Sequence, residues 1–367
     1  MLVCGCEEHY GRAIPTAKSG MSHVFITGAA GFIGGHTVQE FVRQGWHVLA
    51  LVHRRSSADL ANLAAAGRVT CVHGDLTDEP GIEKVVRLAM AGRGAALDAI
   101  VHCAGRASDV GWRSEFHRAN LKSVLTLVHL TRQLGVRRFV SVSTTDVYGL
   151  RDFSGETELD LPLRNNTRNL YPEFKLAAEN RIRADLSPEQ FAIIRPAAVW
   201  GPGDPTLTPR ILAFLRLSPW IVHFGPWRGR NRWPLAHVRN VATAIYLAAT
   251  RPEAGGQAIN VLDPEWTSVD EFYHLLADTF LPGKRFRTVV VPLWLGKAMG
   301  RGVAFISDAL NLDRPFLDPS YYAVMSVSHS LDFSNCRFLD LMAAAGRAVV
   351  TRTDGMAELG ECRRRGN

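Results

Sequence analysis

The sequence predicts an α/β chain: a doubly wound parallel sheet covered by helices, with a smaller C-terminal lobe for substrate. Three observations carry this. Six short runs, His23–Thr27, His47–His53, Val69–His73, Leu97–His102, Arg138–Ser143 and Phe191–Arg195, are apolar almost throughout, as strands buried on both faces are. Between them lie stretches of helical periodicity, such as Phe32–Arg43, Ile82–Ala91, Ser114–Leu134 and Leu170–Leu186. After Pro196 the alternation gives way to a run rich in Pro, Gly and Trp as far as Trp233. Strand–helix alternation with right-handed crossovers gives the doubly wound sheet.

The elements group accordingly. Residues 21–196 form the sheet domain and 197–345 mainly the lobe, with a helix–strand unit at 238–262 (Val238–Thr250, then Gln257–Val261) returning to the sheet domain. A further lobe helix is expected at Ser268–Phe280. Residues 346–367, ending in Arg363-Arg364-Arg365, read as a solvated tail. Residues 1–20 read as a disordered extension, with Met21 an alternative start.

Composition narrows the class. At 367 residues, 47% hydrophobic and 21% charged, the chain is an ordinary globular one, neither disordered nor fibrous. A net charge of +7 favours anionic ligands, but no aromatic–basic motif points to nucleic acid. Cys4, Cys6, Cys71, Cys103, Cys336 and Cys362 include no C-x-x-C pair, which argues against a metal site or a disulfide framework and for a reducing, cytoplasmic setting. No apolar run reaches the ~18 residues of a spanning helix. The short stretch Val289–Leu295 could touch a membrane surface, although a buried connection is the expected reading. The first residues lack the apolar core of a signal peptide.

The strongest local signal is Thr27-Gly28-Ala29-Ala30-Gly31-Phe32-Ile33-Gly34, directly after a strand and opening a helix. Gly28 permits a tight turn, Gly31 lets backbone N–H groups approach a pyrophosphate, and Gly34 lets the helix pack closely. This is a Rossmann-type dinucleotide site. The second strand runs into His53-Arg54-Arg55 where a carboxylate would bind the ribose hydroxyl of NAD, so two guanidiniums favour NADP, with NAD the alternative. Asp75 and Leu76 end the third strand, with Asp75 a candidate acceptor for adenine. Cys103, Ala104 and Gly105 end the fourth, where small residues let backbone pass near the cofactor.

Tyr171 and Lys175 stand four residues apart, on one helix face. A free phenol has a pKa of about 10; the Lys175 cation and an oxidised nicotinamide would lower it, so that Tyr171 exchanges a proton with a substrate oxygen. Thr144, at the carboxyl end of the fifth strand, is placed to orient that oxygen. From residue 22 to 345 the chain resembles the extended short-chain dehydrogenase/reductases. The matching pieces are the Thr27–Gly34 motif, Gly74-Asp75-Leu76, His102–Gly105, Asn120, Ser143–Gly149, Tyr171–Lys175, Arg195-Pro196 and Val199–Asp204. The resemblance implies that Tyr171 is the acid/base, Lys175 binds the nicotinamide ribose, Thr144 orients substrate and Asn120 supports the active-site hydrogen bonds. It also implies Pro196 and Val199 beside the cofactor, and a homodimer through the helices around 114–134 and 170–186.

The branch is less sharply drawn. Thr145-Asp146 replaces the Asp-Glu pair of nucleotide-sugar dehydratases. Trp233-Pro234 stands where epimerases carry Arg-Asp, leaving Arg228, Arg230 and Arg232 as either an anion clamp or a solvated loop. His237–Ala242 and Met325–Ser334 look similar to the 3β-hydroxysteroid dehydrogenase branch. Trp220, Phe224, Trp227, Trp233, Trp266 and Trp294 are either an apolar pocket or the core of the lobe. The expectation is an NAD(P)-dependent dehydrogenase or reductase of a hydrophobic secondary alcohol or ketone. An NDP-sugar epimerase or reductase is the alternative; a non-catalytic cofactor-binding regulator has no use for Thr144, Tyr171 and Lys175 together.

Overall fold

The apolar runs assemble into one seven-stranded parallel sheet. The computed structural model describes residues 21–53, 57–91, 96–108, 111–159, 169–310 and 320–364. Its first half alternates β1 (His23–Thr27), α1 (Phe32–Arg43), β2 (His47–Val52), α2 (Ala58–Ala65), β3 (Val69–His73), α3 (Glu79–Ala91) and β4 (Ala99–His102). Then α4 (Arg113–Phe116), a π-helical segment at His117–Lys122 and α5 (Ser123–Gln133) run on to β5 (Arg138–Val142). β6 (Phe153–Glu156), α6 (Leu170–Asp185), β7 (Phe191–Pro196) and β8 (Ala198–Trp200) follow. The remainder is α7 (Leu207–Leu217), β9 (Trp220–Phe224), β10 (Leu235–His237), α8 (Val238–Thr250), β11 (Ala258–Val261) and α9 (Val269–Phe280), then β12 (Arg287–Val291), α10 (Leu293–Ala309), α11 (Tyr321–Ser328), β13 (Leu331–Phe333), α12 (Cys336–Ala344) and α13 (Arg352–Arg364).

The sheet order is β11-β7-β5-β4-β1-β2-β3, with β1 paired in parallel to both β2 and β4. Chain order reverses at β1, and the carboxyl ends of β1 and β4 open a crevice there, where doubly wound sheets bind ligands. Alternate residues of each strand feed opposite layers. Val24, Ile26, Val48 and Val101 pack with Phe41 of α1 and Ile245 of α8, whereas Phe25, Leu49 and Ile100 pack with Val86 of α3 and Ile182 of α6. The lobe has its own core around Trp200, Leu215, Trp233 and Phe272.

Two expectations are corrected. Residues 352–364 are a helix rather than a solvated tail. Met356 and Leu359 are buried in the lobe core, and Gly355 lies so close that an added Cβ would be 2.5 Å from the Trp200 ring. Its charged sequence hid two apolar anchors three residues apart, one helical face. The six aromatics are neither one pocket nor one core: Phe224 and Trp233 are buried, while Trp220, Trp227, Trp266 and Trp294 are exposed.

Candidate active site

The carboxyl ends of β1, β3, β4 and β5 build the site. After β1, Gly28 takes a left-handed φ of 68°, and a Cβ there would be 2.7 Å from the Ala104 nitrogen. The β1 and β4 loops are therefore in backbone contact. Gly31 caps α1 with no side-chain hydrogen bond, so the first-turn N–H groups of Phe32, Ile33 and Gly34 have no side-chain cap. Such a helix start accepts an anion, and a dinucleotide pyrophosphate fits this cradle. A cleft of about 240 Å³ beside it is lined by Ala30, Gly31, Phe32, His36, Gln39 and Ser57. It thus reaches from the glycine turn to the end of the β2–α2 loop; Arg54 and Arg55 in that loop lie outside the described residues. The chemistry that bears on Tyr171 is elsewhere, across β4.

Gly34 is the tightest point. A Cβ there would sit 2.0 Å from the Gly28 carbonyl oxygen, so Gly34→Ala must move the glycine turn. Misplacement by about 1 Å costs on the order of 100-fold in rate. We expect kcat/KM to fall by about that factor and the dinucleotide Kd to rise, read by steady-state kinetics and titration; unchanged values would show that the turn does not position the cofactor.

At the second strand end, Asp75 accepts from the backbone N–H and the hydroxyl of Thr77, both at 2.8 Å, and these bonds hold its carboxyl below the ordinary range. One oxygen is thus used by its own loop, and the other lies 3.6 Å from half-exposed His53. Leu76 is half-buried against the core under the sheet. After β4, burial pushes the Cys103 thiol up to about 12, which makes it packing rather than a nucleophile. His102 is buried and pushed down to about 3, so it is neutral; it links Thr27 of β1 (2.7 Å) to Ser123 of α5 (3.3 Å). Gly105 is forced by crowding, since a Cβ there would be 2.8 Å from the Asn120 Oδ1 and 3.3 Å from the Lys175 Nζ.

Asn120 is buried within the π-helical segment, a distortion that often marks a functional position. Its side chain accepts from the Arg106 N–H (2.9 Å) and donates to the Arg106 carbonyl (3.0 Å), which fixes the loop after β4.

The end of β5 and the start of α6 bring together Thr144, Tyr171 and Lys175. Asn169 caps α6 by accepting from the Tyr171 N–H at 2.9 Å, and Pro172 sits in the first turn, where its missing donor costs nothing. Thr144 accepts from the Asp146 N–H (3.2 Å), and its hydroxyl neighbours the Tyr171 phenol. Burial pushes that phenol above its ordinary value, Asp146 adds to the push, and the Thr144 hydroxyl opposes it. Lys175 donates to the Val142 carbonyl at 2.7 Å, with its ammonium 5.8 Å from the centre of the Tyr171 ring. The lowering of the phenol expected from Lys175 is therefore not what the chain alone produces: with Nζ turned to Val142, burial dominates and Tyr171 stays protonated. Burial also lowers Lys175 itself, to about 8.

One layer of the site went unread in the sequence. Glu179, one turn beyond Lys175 on α6, is buried and binds the equally buried Arg195 of β7 through both oxygens, at 3.0 and 2.5 Å. It also accepts from Ser143 at 2.5 Å, while Arg195 donates to Tyr148 (2.7 Å), which donates to Asn260 (2.8 Å). Burial works against the Arg195 charge, yet Glu179 and Tyr148 raise its pKa above the ordinary value. This network clamps the helix bearing Tyr171 onto the strand end bearing Thr144. The signal was present: a glutamate at i+4 from Lys175 shares its buried face.

Pro196 ends β7 paired with Val261, and Val199 is central in β8 beside Ala236. The loop after β8 is tied to α1 through His36, whose Nε2 lies 2.9 Å from the Pro202 carbonyl. Of the arginines considered as an anion clamp, Arg232 is paired with Asp332, whereas Arg228 and Arg230 are exposed.

With this geometry in view, comparison with known proteins is decisive at the level of family. Residues 24–261 match the NAD dependent epimerase/dehydratase family. The chain belongs to that family. It is 28% identical over 366 residues to a 2-alkyl-3-oxoalkanoate reductase of Shewanella oneidensis, covering 95% of this chain and 88% of the relative. It is 27% identical over 274 residues to a 3-beta-hydroxysteroid dehydrogenase of Mycolicibacterium neoaurum, 70% of each. Its fold is shared with the UDP-glucose 4-epimerase of Thermotoga maritima, with a TM-score of 0.69 at 20% identity over 94% of this chain and 99% of that one. This family member is an NAD(P)-dependent oxidoreductase of the extended short-chain dehydrogenase type.

Proposed function

We propose that this family member reduces a hydrophobic ketone, or oxidises the matching secondary alcohol, with Tyr171 as acid/base. The observation that carries the reading is the meeting of Thr144, at the carboxyl end of β5, with Tyr171 and Lys175 at the start of α6, where the Lys175 ammonium lies 5.8 Å from the centre of the Tyr171 ring. The Gly28–Gly34 turn and the loop at Cys103–Gly105 would hold a nicotinamide dinucleotide, which when bound would supply or take the hydride. The chain's own groups do the rest. Thr144 and Tyr171 converge on one substrate oxygen, Tyr171 delivers its proton there, and Lys175 holds a positive charge beside the phenolate left behind. Burial raises the Tyr171 phenol, so it holds the proton that reduction of a ketone requires.

The apolar substrate class is supported by the reductase and hydroxysteroid dehydrogenase relatives. A sugar diphosphate is disfavoured because Arg232 is committed to Asp332 and Trp233 is core. NADP is the proposed cofactor, from Arg54 and Arg55. Calorimetric titration of Arg54→Ala/Arg55→Ala tests this: NADPH affinity should drop by about tenfold or more while NADH affinity barely moves. Indifference to both arginines would remove the argument for NADP.

Lys175 predicts the pH profile. With its pKa lowered by burial to about 8, it is charged below that pH and neutral above it, so a rate that needs the cation falls as pH rises through 8. Lys175→Met should be slow and should lack this alkaline limb. A wild-type rate that stays flat well above pH 8 would contradict the assignment.

A further inference from the structure

We propose that the face built by α7–β9 and β12–α10 docks on an anionic membrane surface. The proposal is independent of the substrate assigned above.

Charge is segregated along this chain. Residues 205–233 and 279–307 together hold ten Lys and Arg and no Asp or Glu, more than the whole net charge of +7. The remaining residues are therefore net acidic. The fold brings the two segments together, since β9 and β12 pair in parallel from Trp220↔Arg287 to Phe224↔Val291. Asp332 neutralises Arg232, and Lys284 is bound to the carbonyls of Leu215 and Arg216. Arg216, Arg228, Arg230 and Arg285 are exposed and, among the described residues, have no carboxylate partner.

The same segments carry exposed apolar side chains, most densely on α10. One face of α10 is small, with Gly296, Gly300, Val303 and Ser307 buried. Gly300 lies against α11, where a Cβ would be 2.5 Å from the Tyr321 Cα. The outward face of a surface helix is normally polar. Here it holds Trp294 (71% exposed), Leu295, Met299, Phe305 (75%) and Ile306. The helix's only cations are Lys297 and Arg301, the latter 5.2 Å from the Tyr321 ring centre. At the neighbouring strand pair, Arg287 lies 5.7 Å from the ring centre of exposed Trp220.

An apolar helix face with aromatic side chains, flanked by unneutralised cations, is the pattern of a helix lying in a membrane interface. The apolar side chains enter the acyl boundary, and the cations meet lipid phosphates. At 17 residues α10 is about 25 Å long, short of a span, and no helix among the described residues is long and apolar enough to cross a membrane. A second copy of the chain is a poorer occupant, because facing copies would oppose the like charges of Arg216, Arg228, Arg230, Arg285, Lys297 and Arg301.

The test uses the full chain in flotation with phosphatidylcholine vesicles, with and without phosphatidylglycerol. We expect binding to the anionic vesicles only, weakened by salt. Phe305→Asp/Ile306→Asp and, separately, Lys297→Glu/Arg301→Glu should each reduce the bound fraction by about tenfold, with the reduction rate of a water-soluble ketone unchanged. Absence of flotation, or equal binding to neutral vesicles, would overturn the proposal. So would binding that survives the Phe305/Ile306 change and is displaced by free DNA, which would mean bare electrostatic adhesion. A dimer that dissociates in these variants would also overturn it, by assigning the face to a second copy.

Discussion

Tyr171→Phe should lower kcat by about 100- to 10,000-fold, the range lost when a positioned acid/base is removed. In the proposed mechanism the phenol beside Thr144 is the group that delivers the proton. Its loss removes one hydroxyl and leaves the ring, so folding should be nearly untouched and dinucleotide affinity should change only a few-fold. Thr144→Val should act in the same direction but less strongly, because Tyr171 would keep its proton and lose only its alignment. A Tyr171→Phe enzyme within a few-fold of wild type would assign the proton transfer to another group.

Glu179→Ala should have the largest effect on stability. It leaves the Arg195 guanidinium buried without its counter-charge, and breaking such a pair costs about 3–5 kcal/mol. Urea unfolding should show the midpoint moving down with little change in slope. The double change Glu179→Leu/Arg195→Met should regain most of that loss, since two apolar groups need no partner. Its activity should recover less, because Ser143 and Tyr148 also lose partners on the clamp between α6 and the end of β5. Equal stability of Glu179→Ala and wild type would mean that the network holds nothing in place.

Most of the sheet was legible because buried parallel strands are nearly continuous apolar runs, and in the first half of the chain they alternate with helices of their own period. The cofactor cradle was legible for a different reason. Gly28 and Gly34 are required by contacts that no Cβ permits, so their spacing survives as a visible pattern. What escaped was structure whose signal is sparse or long-range. The helix at 352–364 rests on Met356 and Leu359, two apolar residues in a charged segment. The pairing of Glu179 with Arg195 escaped because it needs α6 to lie across β7, and sequence spacing does not report that. The π-helical turn at Asn120 is also silent: its pattern is that of an ordinary helix, and only the hydrogen bonds to Arg106 show why it is there. The exposed tryptophans misled because apolar residues in a mixed segment suggest a core, whereas here four of the six aromatics singled out face outward.

The central claim is net hydride transfer to a hydrophobic ketone with Tyr171 supplying the proton. The most direct measurement mixes the enzyme with C4-deuterated NADPH and a long-chain ketone, then weighs the alcohol formed. The account predicts one deuterium at the carbinol carbon, stoichiometric NADP⁺, and loss of both in Tyr171→Phe. No net oxidation of NADPH with ketones, together with interconversion of a nucleotide-sugar epimer by cofactor that never leaves the protein, would contradict it.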